Sequence, residues 1–246
     1  MTDSTKSQAG PRVFPVTQWT LVLAAGATPS PESAAALERL CASYWYPLYA
    51  YARRCGHSPC DAEDFTQEFF ARLLEHNWIA RADRDRGRFR SFLLTAMKRF
   101  LANEWAKVKT LKRGGGACLV PLQLDTAETR YSREPADTST PEQVFERQWA
   151  LLLLEAVLER LRVDYTRQGK GALFETLQPC LVGSREAQPY AALATELGMT
   201  VGAVSMAVGR LRERYRECLK EEIRQTVASA AEVDGELRHL FRVLAR

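Results

Sequence analysis

The apolar positions of this chain recur at helical spacing along most of its length. Between residues 61 and 75, Phe65, Phe69 and Leu73 recur every four positions, and Phe70 and Leu74 lie beside them. This spacing predicts a helix with one buried aromatic face. The acidic and amide side chains of the same segment fall largely off that face, which predicts an exposed anionic edge. The side chains of that edge are Asp61, Glu63, Asp64, Gln67 and Glu68.

Other segments carry the start signals and the period of helices. Ser30 followed by Pro31 predicts a helix that runs to about residue 54. Thr140, with Pro141 next to it and Gln143 three residues on, predicts another that runs to about residue 165. Further helices are predicted at 61–76, 89–109, 172–181, 189–197 and 201–217, with a turn at 198–200. We therefore expect an all-α fold.

The predicted helices fall into two groups, which indicates two small helical domains. Gly114 to Gly116 ends the first group, and the residues after it contain Pro, Ser and Thr without a sustained apolar period. The expected organisation is an N-terminal extension at 1–29, a first domain at 30–113, a flexible linker at 114–140, a second domain at 141–220 and a C-terminal helical extension at 221–246.

Charge is segregated along the chain, although the formal net charge is only +4. From residue 81 to 113, eleven basic side chains stand against three acids, Asp83, Asp85 and Glu104. The basic side chains are Arg81, Arg84, Arg86, Arg88, Arg90, Lys98, Arg99, Lys107, Lys109, Lys112 and Arg113. A domain that carries both an anionic edge and this basic segment suits a basic partner on one face and a polyanion on another.

The spacing of the cysteines and the length of the apolar runs indicate the cellular compartment of the protein. The six cysteines, at 41, 55, 60, 118, 180 and 218, show no paired C-x-x-C spacing, and residues 1–10 are polar rather than an apolar signal segment. We therefore expect a reduced, cytoplasmic protein. No apolar run approaches the ~20 residues that cross a bilayer, so no membrane association is expected.

Metal-dependent catalysis is a minor alternative. Cys55, His57 and Cys60 could supply three zinc ligands, but their spacing is unusual and a helix-ending turn explains the segment more simply. Glu236 and His239 form one Glu-x-x-His pair, whereas a dimetal helical bundle needs two. The glycines at 114–116 lack the G-x-x-x-x-G-K-S/T frame of a phosphate loop. We expect no metal, no cofactor and no enzymatic activity.

Two motifs in this chain resemble those of one known family. Residues 61–70, DAEDFTQEFF, are similar to the pattern D-A-E-D-x-x-Q-E-x-F of region two in bacterial RNA polymerase sigma factors of the extracytoplasmic-function type, within the sigma-70 family. Residues 190–205 and 210–215 resemble region four, the helix-turn-helix of the same factors. The two resemblances cover roughly residues 40–112 and 145–220, in the order that the family has.

The resemblance implies that the anionic edge binds core RNA polymerase. In the family, this helix docks on the basic-rimmed clamp coiled coil of the beta-prime subunit. Carried over residue by residue, the core-binding side chains are Asp61, Asp64, Gln67 and Glu68. The first domain would then correspond to sigma region 2 and the second to sigma region 4.

The resemblance also implies that the loop at 80–90 and the helix after it hold the opened minus-ten strand. Arg and Lys neutralise phosphate, and aromatic side chains accept unstacked bases. We interpret Trp105 as such an aromatic platform and Phe65, Phe69, Phe92 and Phe100 as core. Phe92 stands where the family usually carries Trp, so the promoter preference is not carried over. The expected minus-ten contacts are Arg81, Arg84, Arg86, Arg88, Arg90, Lys98, Arg99, Asn103 and Lys107.

The second helix of the predicted helix-turn-helix carries few side chains that can contact a base edge. Its expected buried side chains are Val201, Val204, Val208, Leu211 and Tyr215. Its contacts to the minus-thirty-five element are expected to depend on phosphate and DNA shape. The expected contacts are Thr200, Gly202, Ser205, Met206, Arg210, Arg212 and Arg214.

Two functions remain open from the sequence. One is a sigma factor that binds core polymerase and directs it to promoters. The other is a stand-alone helix-turn-helix regulator that binds DNA without polymerase. Apolar stripes at 14–25 and 237–244 lie outside the two matched regions. They either dock on their own domains or bind a further partner, such as an anti-sigma factor.

Overall fold

The regular structure of this chain is helical. The computed structural model describes residues 19–26, 30–82, 87–111, 122–132, 139–181 and 189–245, and within these ranges every regular element is a helix, which confirms the all-α fold class. The α-helices are α1 (Trp19–Ala25), α2 (Pro31–Arg54), α3 (Pro59–Glu75), α4 (Phe89–Leu111), α5 (Leu122–Ser132), α6 (Pro141–Arg167), α7 (Gly171–Leu177), α8 (Tyr190–Leu197), α9 (Val201–Thr226) and α10 (Val233–Leu244). Short 3-10 helices lie at Trp78–Arg81, Gln178–Leu181 and Ala230–Glu232.

The described residues form two compact units. The larger unit comprises residues 19–154 and 219–245, and the smaller unit comprises residues 155–218. Helices α6 and α9 each contribute residues to both units. The unit boundaries therefore differ from the predicted domain boundaries at 141 and 220, and the domain scheme stays a prediction.

The predicted helix starts of α2 and α6 are confirmed by reciprocal capping. Ser30 Oγ accepts a hydrogen bond from the backbone N–H of Ser33 at 3.1 Å, and Ser33 Oγ accepts one from the N–H of Ser30 at 2.9 Å. Thr140 and Gln143 make the same exchange at the start of α6, at 3.3 and 2.8 Å. Each cap satisfies backbone donors that have no partner inside the helix, at a value of about 1 kcal/mol. Helix α3 starts two residues before the predicted position, because Ser58 caps it.

The core of the larger unit is built from aromatic side chains of α2, α3, α4 and the first half of α6. Tyr44 packs its ring against Phe89 at 5.7 Å and against Phe145 at 6.4 Å between centroids. Phe69 meets Phe100 edge to face at 5.8 Å. Such pairs add about 0.5–1.5 kcal/mol each beyond the burial of apolar area. The core of the larger unit thus packs α2, α3 and α4, which belong to the predicted first domain, together with α6, which was predicted to start the second domain.

The buried face of α3 includes two small side chains that the prediction left out. Its centre is formed by Ala62 and Thr66 together with Phe69 and Leu73, all of them buried. Thr66 Oγ1 donates to the carbonyl of Ala62 at 2.6 Å, which satisfies the buried hydroxyl. Two small side chains therefore set the contact face, which a pattern of large apolar residues alone does not reveal.

Three predictions for α3 are wrong at the edges of this face. Glu63 was expected at the exposed edge but is only 3% exposed. Leu74 was expected to be buried but is 43% exposed, and Phe65 is half-buried. Glu63 lies on the helix flank next to Phe70, and Leu74 lies beyond that flank, because successive residues are about 100° apart around a helix.

Helix α5 lies inside the segment 114–140, where a linker without regular structure was expected. Its Glu128 accepts hydrogen bonds from Tyr49 Oη at 2.6 Å and from Arg53 Nη2 at 2.8 Å, both on α2. Arg53 also lies over the ring of Tyr131, and Arg130 lies over the ring of Tyr46 at 4.0 Å. The expectation of an irregular segment is wrong for residues 122–132, which form a helix that polar and cation–π contacts attach to α2.

The smaller unit contains the second half of α6, α7, α8 and the first part of α9. Tyr165 packs against Phe174 at 5.5 Å, and Leu193, Val204 and Val208 are buried. Helices α8 and α9 are bent by 100° relative to each other across the turn at 198–200. That bend lies within the range of about 90–120° seen in helix-turn-helix pairs.

The turn between α8 and α9 follows from its residues. Gly198 has φ +62°, in the left-handed region that favours glycine, and it closes α8. Thr200 Oγ1 accepts a hydrogen bond from the N–H of Ala203 at 3.2 Å and so caps α9. Val201 was expected to be buried but is 50% exposed, because it occupies the first turn of α9.

In the described part of the chain no single helix is both long and apolar enough to cross a bilayer. Helices α8 and α9 reach the length and composition only when taken together, across their 100° bend.

Candidate functional site

The anionic edge of α3 is exposed as predicted for its four core-binding candidates. Asp61, Asp64, Gln67 and Glu68 all lie at the surface. Asp61 is partly engaged, because its carboxylate accepts a hydrogen bond from Ser58 Oγ at 2.7 Å at the helix start. Gln67 Nε2 donates to Glu63 Oε1 at 3.2 Å. Asp64 and Glu68 are the other two acids exposed along this edge.

A cation that the sequence reasoning missed lies beside this edge. Arg72 binds Glu68 Oε1 at 2.7 Å and Glu104 Oε1 of α4 at 2.8 Å, and its guanidinium lies over the ring of Phe100 at 5.1 Å. The spacing of Glu68 and Arg72, four residues apart on one helix, is the signal that could have found it. Arg72 fixes the rotamer of Glu68 and joins α3 to α4.

Glu63 is the acid of α3 that the fold encloses. Burial raises the pKa of the Glu63 carboxyl, and the negative charge of Asp64 raises it further. The hydrogen bond from Gln67 opposes this shift by favouring the carboxylate. The negative charge of Asp64, on the exposed edge, therefore acts on the buried carboxyl of Glu63.

The predicted minus-ten contacts divide into described and undescribed side chains. The side chains of Arg81 and Lys107, the residues Arg84 and Arg86, and the side chain of Trp105 lie outside the described set. Lys98, Arg99 and Asn103 are exposed on α4. Lys98 Nζ binds Glu142 Oε1 at 2.7 Å, so part of its charge is already paired.

Arg88 and Arg90, at the start of α4, are both bound to carboxylates. Arg88 Nη2 lies 2.6 Å from Glu236 Oε2 of α10. Arg90 is only 2% exposed and is bound to Glu236 Oε1 and, at 2.9 Å, to Glu146 Oε2 of α6. A guanidinium with this little exposure cannot reach a phosphate, so the prediction of a DNA contact for Arg90 does not hold in this conformation.

The surroundings of Arg90 form a buried charged cluster. Its guanidinium lies over the ring of Trp149 at 3.8 Å, and His239 Nε2 lies 3.0 Å from Glu146 Oε2. Burial alone would lower the pKa of Arg90, but the charges of Glu146 and Glu236 raise it above its usual value. The arginine therefore stays charged inside the larger unit.

The sequence contains a signal for this cluster that was not used. Arg90 falls on the same helix face as Met97 and Leu101, and Glu236 on the same face as Val233 and Leu240, all of them buried. A charged residue in register with an apolar stripe on each of two helices indicates a buried ion pair.

The predicted minus-thirty-five residues form the exposed face of α9 in the smaller unit. These residues are Thr200, Gly202, Ser205, Met206, Arg210, Arg212 and Arg214, and all of them are exposed. Arg212 Nη2 donates to the carbonyl of Cys180 at 2.9 Å. Arg214 binds Glu217 at 3.0 Å and lies 3.8 Å from Asp164. Arg212 and Arg214 thus have their guanidinium groups oriented by protein contacts, whereas Arg210 extends from the exposed face.

Two features bear on the metal alternatives and on the redox expectation. Cys60 is disulfide-bonded, so it does not supply a zinc thiolate, and the expectation of a fully reduced chain is wrong for this residue. Cys41, Cys55, Cys180 and Cys218 form no disulfide bond. Glu236, from the Glu-x-x-His pair, is engaged by two arginines instead.

One family model matches this chain. Residues 42–110 match the model for sigma-70 region 2, and this stretch includes most of α2, all of α3 and nearly all of α4. No curated protein and no solved structure matches the chain. The match shows that this part of the larger unit is similar to a sigma-70 region 2 domain. A region 2 domain implies binding to core RNA polymerase and to DNA in transcription initiation.

Proposed function

We propose that this chain is a sigma factor of the extracytoplasmic-function type, which binds core RNA polymerase and directs it to specific promoters. The observation that carries the proposal is the match of residues 42–110 to sigma-70 region 2. That stretch contains both the exposed acids of α3 and the exposed basic residues of α4. In this role the chain is a subunit without catalysis of its own.

The proposed surface for core polymerase is the anionic edge of α3. Asp64 and Glu68 are exposed there, with Asp61 at the helix start and Gln67 between them. The partner surface that fits this edge is a basic one, such as the rim of the clamp coiled coil of the beta-prime subunit. Complementary charge of this kind accelerates association and sets orientation.

The proposed surface for the opened minus-ten strand is the exposed side of α4 with the residue that precedes it. Lys98, Arg99 and Asn103 follow one another along that helix, and Arg88 lies at its start with its side chain one-third exposed. Cations and amides in such a row neutralise successive phosphates, and this makes the binding depend on salt. Arg81, Arg84, Arg86 and Lys107 stay predicted members of this surface.

The proposed surface for the minus-thirty-five element is the exposed face of α9. The 100° bend after α8 and the glycine turn support a helix-turn-helix arrangement, in which the N-terminal part of the second helix enters the major groove. Gly202, Ser205 and Met206 occupy that part. Because they can form few base-specific hydrogen bonds, the arginines that follow are proposed to hold phosphates.

The test removes charge from the α3 edge and measures association with core polymerase. The double variant Asp64→Asn/Glu68→Gln should weaken association with bacterial core polymerase roughly tenfold, since each exposed charge contributes up to about 1 kcal/mol. It should reduce promoter-dependent run-off transcript in proportion. The matched control is Glu32→Gln/Glu38→Gln, which removes two exposed charges from α2.

The outcomes separate the two candidate functions. A run-off product that needs both core polymerase and this chain supports the sigma factor. Binding to a duplex operator without any association with core polymerase would instead identify a stand-alone regulator. Equal loss of association in the control variant would show that the α3 edge has no specific role.

A further inference from the structure

The C-terminal helix α10 docks on the larger unit through a buried acid. Glu236 is 0% exposed and lies between two arginines that flank Phe89. Its Oε1 binds Arg90 Nη1, and its Oε2 lies 2.6 Å from Arg88 Nη2. A helix outside the family match thus places its one buried carboxylate on two residues of the predicted minus-ten surface.

A carboxylate in this place competes with a nucleic-acid phosphate. Arg binds carboxylate and phosphate oxygens with the same planar donors, so one guanidinium cannot satisfy both in the same geometry. Arg88 is one-third exposed and sits at the surface end of the contact. In the docked conformation, Glu236 engages Nη2 of Arg88 and also binds Arg90, which is closed off from solvent.

Few apolar side chains of α10 are fully buried by its docking. Apart from Glu236, only Val233 and Leu240 of this helix are buried among its described side chains, and Phe241 is 60% exposed. Neither Arg90 Nη2 nor Glu236 Oε2 makes a well-aligned hydrogen bond, although the first lies over Trp149 and the second lies near Arg88. Elements with few buried apolar contacts open locally at lower free energy than the core does. A buried ion cluster without full hydrogen bonding adds little net stability.

Release of α10 would change the charge of the surface and leave the core intact. Arg90 keeps Glu146 at 2.9 Å and the face of Trp149, both on α6. Arg88 loses its carboxylate. The guanidinium of Arg88 then becomes accessible to a phosphate, and that of Arg90 loses the cover of Glu236 while it stays bound to Glu146.

We propose that α10 is a built-in restraint on DNA binding: by holding Arg88 and covering Arg90, Glu236 keeps the minus-ten surface partly neutralised until α10 leaves its docking place. This inference rests on the proposed function and adds a regulation of the same surface. It also gives the C-terminal extension a role inside the chain, as an internal competitor for the polyanion.

The test measures the affinity of the assembled holoenzyme for a fluorescent single-stranded minus-ten oligonucleotide at fixed salt. Glu236→Gln removes the competing charge and keeps the size of the side chain. Truncation after Ala228 removes α10 and leaves α9 complete. Both changes should tighten binding about fivefold or more, within the range of a typical coupling between sites. The control is Asp234→Asn, an exposed acid in the first turn of the same helix.

A second comparison shows whether Arg88 carries the effect. Arg88→Ala should weaken oligonucleotide binding by a larger factor in the Glu236→Gln background than in the full-length parent, because the parent already holds Arg88 on Glu236. Amide hydrogen exchange over residues 233–244 reports independently whether α10 has become less protected in Glu236→Gln.

The possible results are distinct. Tighter binding by Glu236→Gln, with the control unchanged, supports the restraint, even if the truncated chain fails to fold. Unchanged or weaker binding by Glu236→Gln, with core association intact, overturns it and leaves a purely structural ion cluster. Equal effects of Arg88→Ala in both backgrounds also overturn it. Failure of the parent chain to associate with core polymerase refutes the proposed function itself, and this inference falls with it.

Discussion

At the scale of single residues, burial decides which charges of the two faces are available to partners. The sequence placed Glu63 and Arg90 at the surface, and the structure encloses both. Their surroundings differ, because Arg90 is bound by two carboxylates, whereas in the described part of the chain Glu63 accepts a hydrogen bond from the amide of Gln67. A buried charge without an opposite charge is costly, so Glu63 is a point of instability on α3.

We expect Glu63→Gln to stabilise the protein at neutral pH. Because the pKa of Glu63 is raised in the folded state, its contribution to stability is fully present below the unfolded pKa. That contribution is lost as pH rises through the folded pKa. Glutamine is neutral at every pH, and its side-chain carbonyl can still accept the hydrogen bond from Gln67.

Thermal unfolding at about pH 4 and about pH 7.5 checks this expectation, since the gain in Tm should be present only at the higher pH. Glu75→Gln, on the exposed end of the same helix, is the control. A lower Tm for Glu63→Gln at neutral pH would contradict the argument and would mean that the carboxylate has a stabilising partner.

At the scale of elements, helix starts and periods were predictable, and contacts that depend on partners were not. The capping residues Ser30 and Thr140 act within their own segments, so the sequence contains the whole signal. The contact face of α3 depends on Ala62 and Thr66, whose small size matters only against neighbouring helices. The ion cluster around Arg90 was not predicted for the same reason, because it needs residues from α4, α6 and α10.

Helix α5 shows most directly which contacts a local sequence pattern cannot predict. Its attachment to α2 depends on Glu128, whose position is meaningful only with Tyr49 and Arg53 in place. Burial opposes the charged form of Glu128, but the hydrogen bonds from Arg53 and Tyr49 lower its pKa below the usual value. The stability that it contributes is therefore present above the unfolded pKa and is lost as pH falls through the folded pKa.

We expect Glu128→Gln to loosen α5 while α2 remains folded. The loss of charge-assisted hydrogen bonds should lower the free energy of local opening by about 1–3 kcal/mol. Amide hydrogen exchange over residues 122–132 measures this directly, and Thr129→Ala, at an exposed position of α5, is the control. Unchanged protection of α5 would show that the cation–π contacts of Arg130 and Tyr131 hold it without Glu128.

At the scale of the whole molecule, the small net charge of +4 conceals a strong separation of charge. Acids dominate the exposed edge of α3, and cations dominate the exposed faces of α4 and α9. In the proposed holoenzyme, promoter affinity should therefore follow local arginines and not the net charge of the chain. Arg210 is the residue that tests this dependence on local arginines most directly, since Arg212 and Arg214 also make contacts inside the smaller unit.

We expect Arg210→Ala to reduce the salt dependence of promoter binding by the holoenzyme. The slope of log K against log salt concentration should become less steep by about 1, because one phosphate contact and its released counterion are lost. Arg212→Ala should reduce the slope similarly and also lower Tm, since it removes the hydrogen bonds to the Cys180 carbonyl. Arg162→Ala is the matched control, because that guanidinium is bound by Glu159 on its own helix at 2.8 and 2.9 Å. A slope that is unchanged in Arg210→Ala, or changed equally in Arg162→Ala, would remove Arg210 from the DNA interface, since a protein without that phosphate contact releases no counterion there.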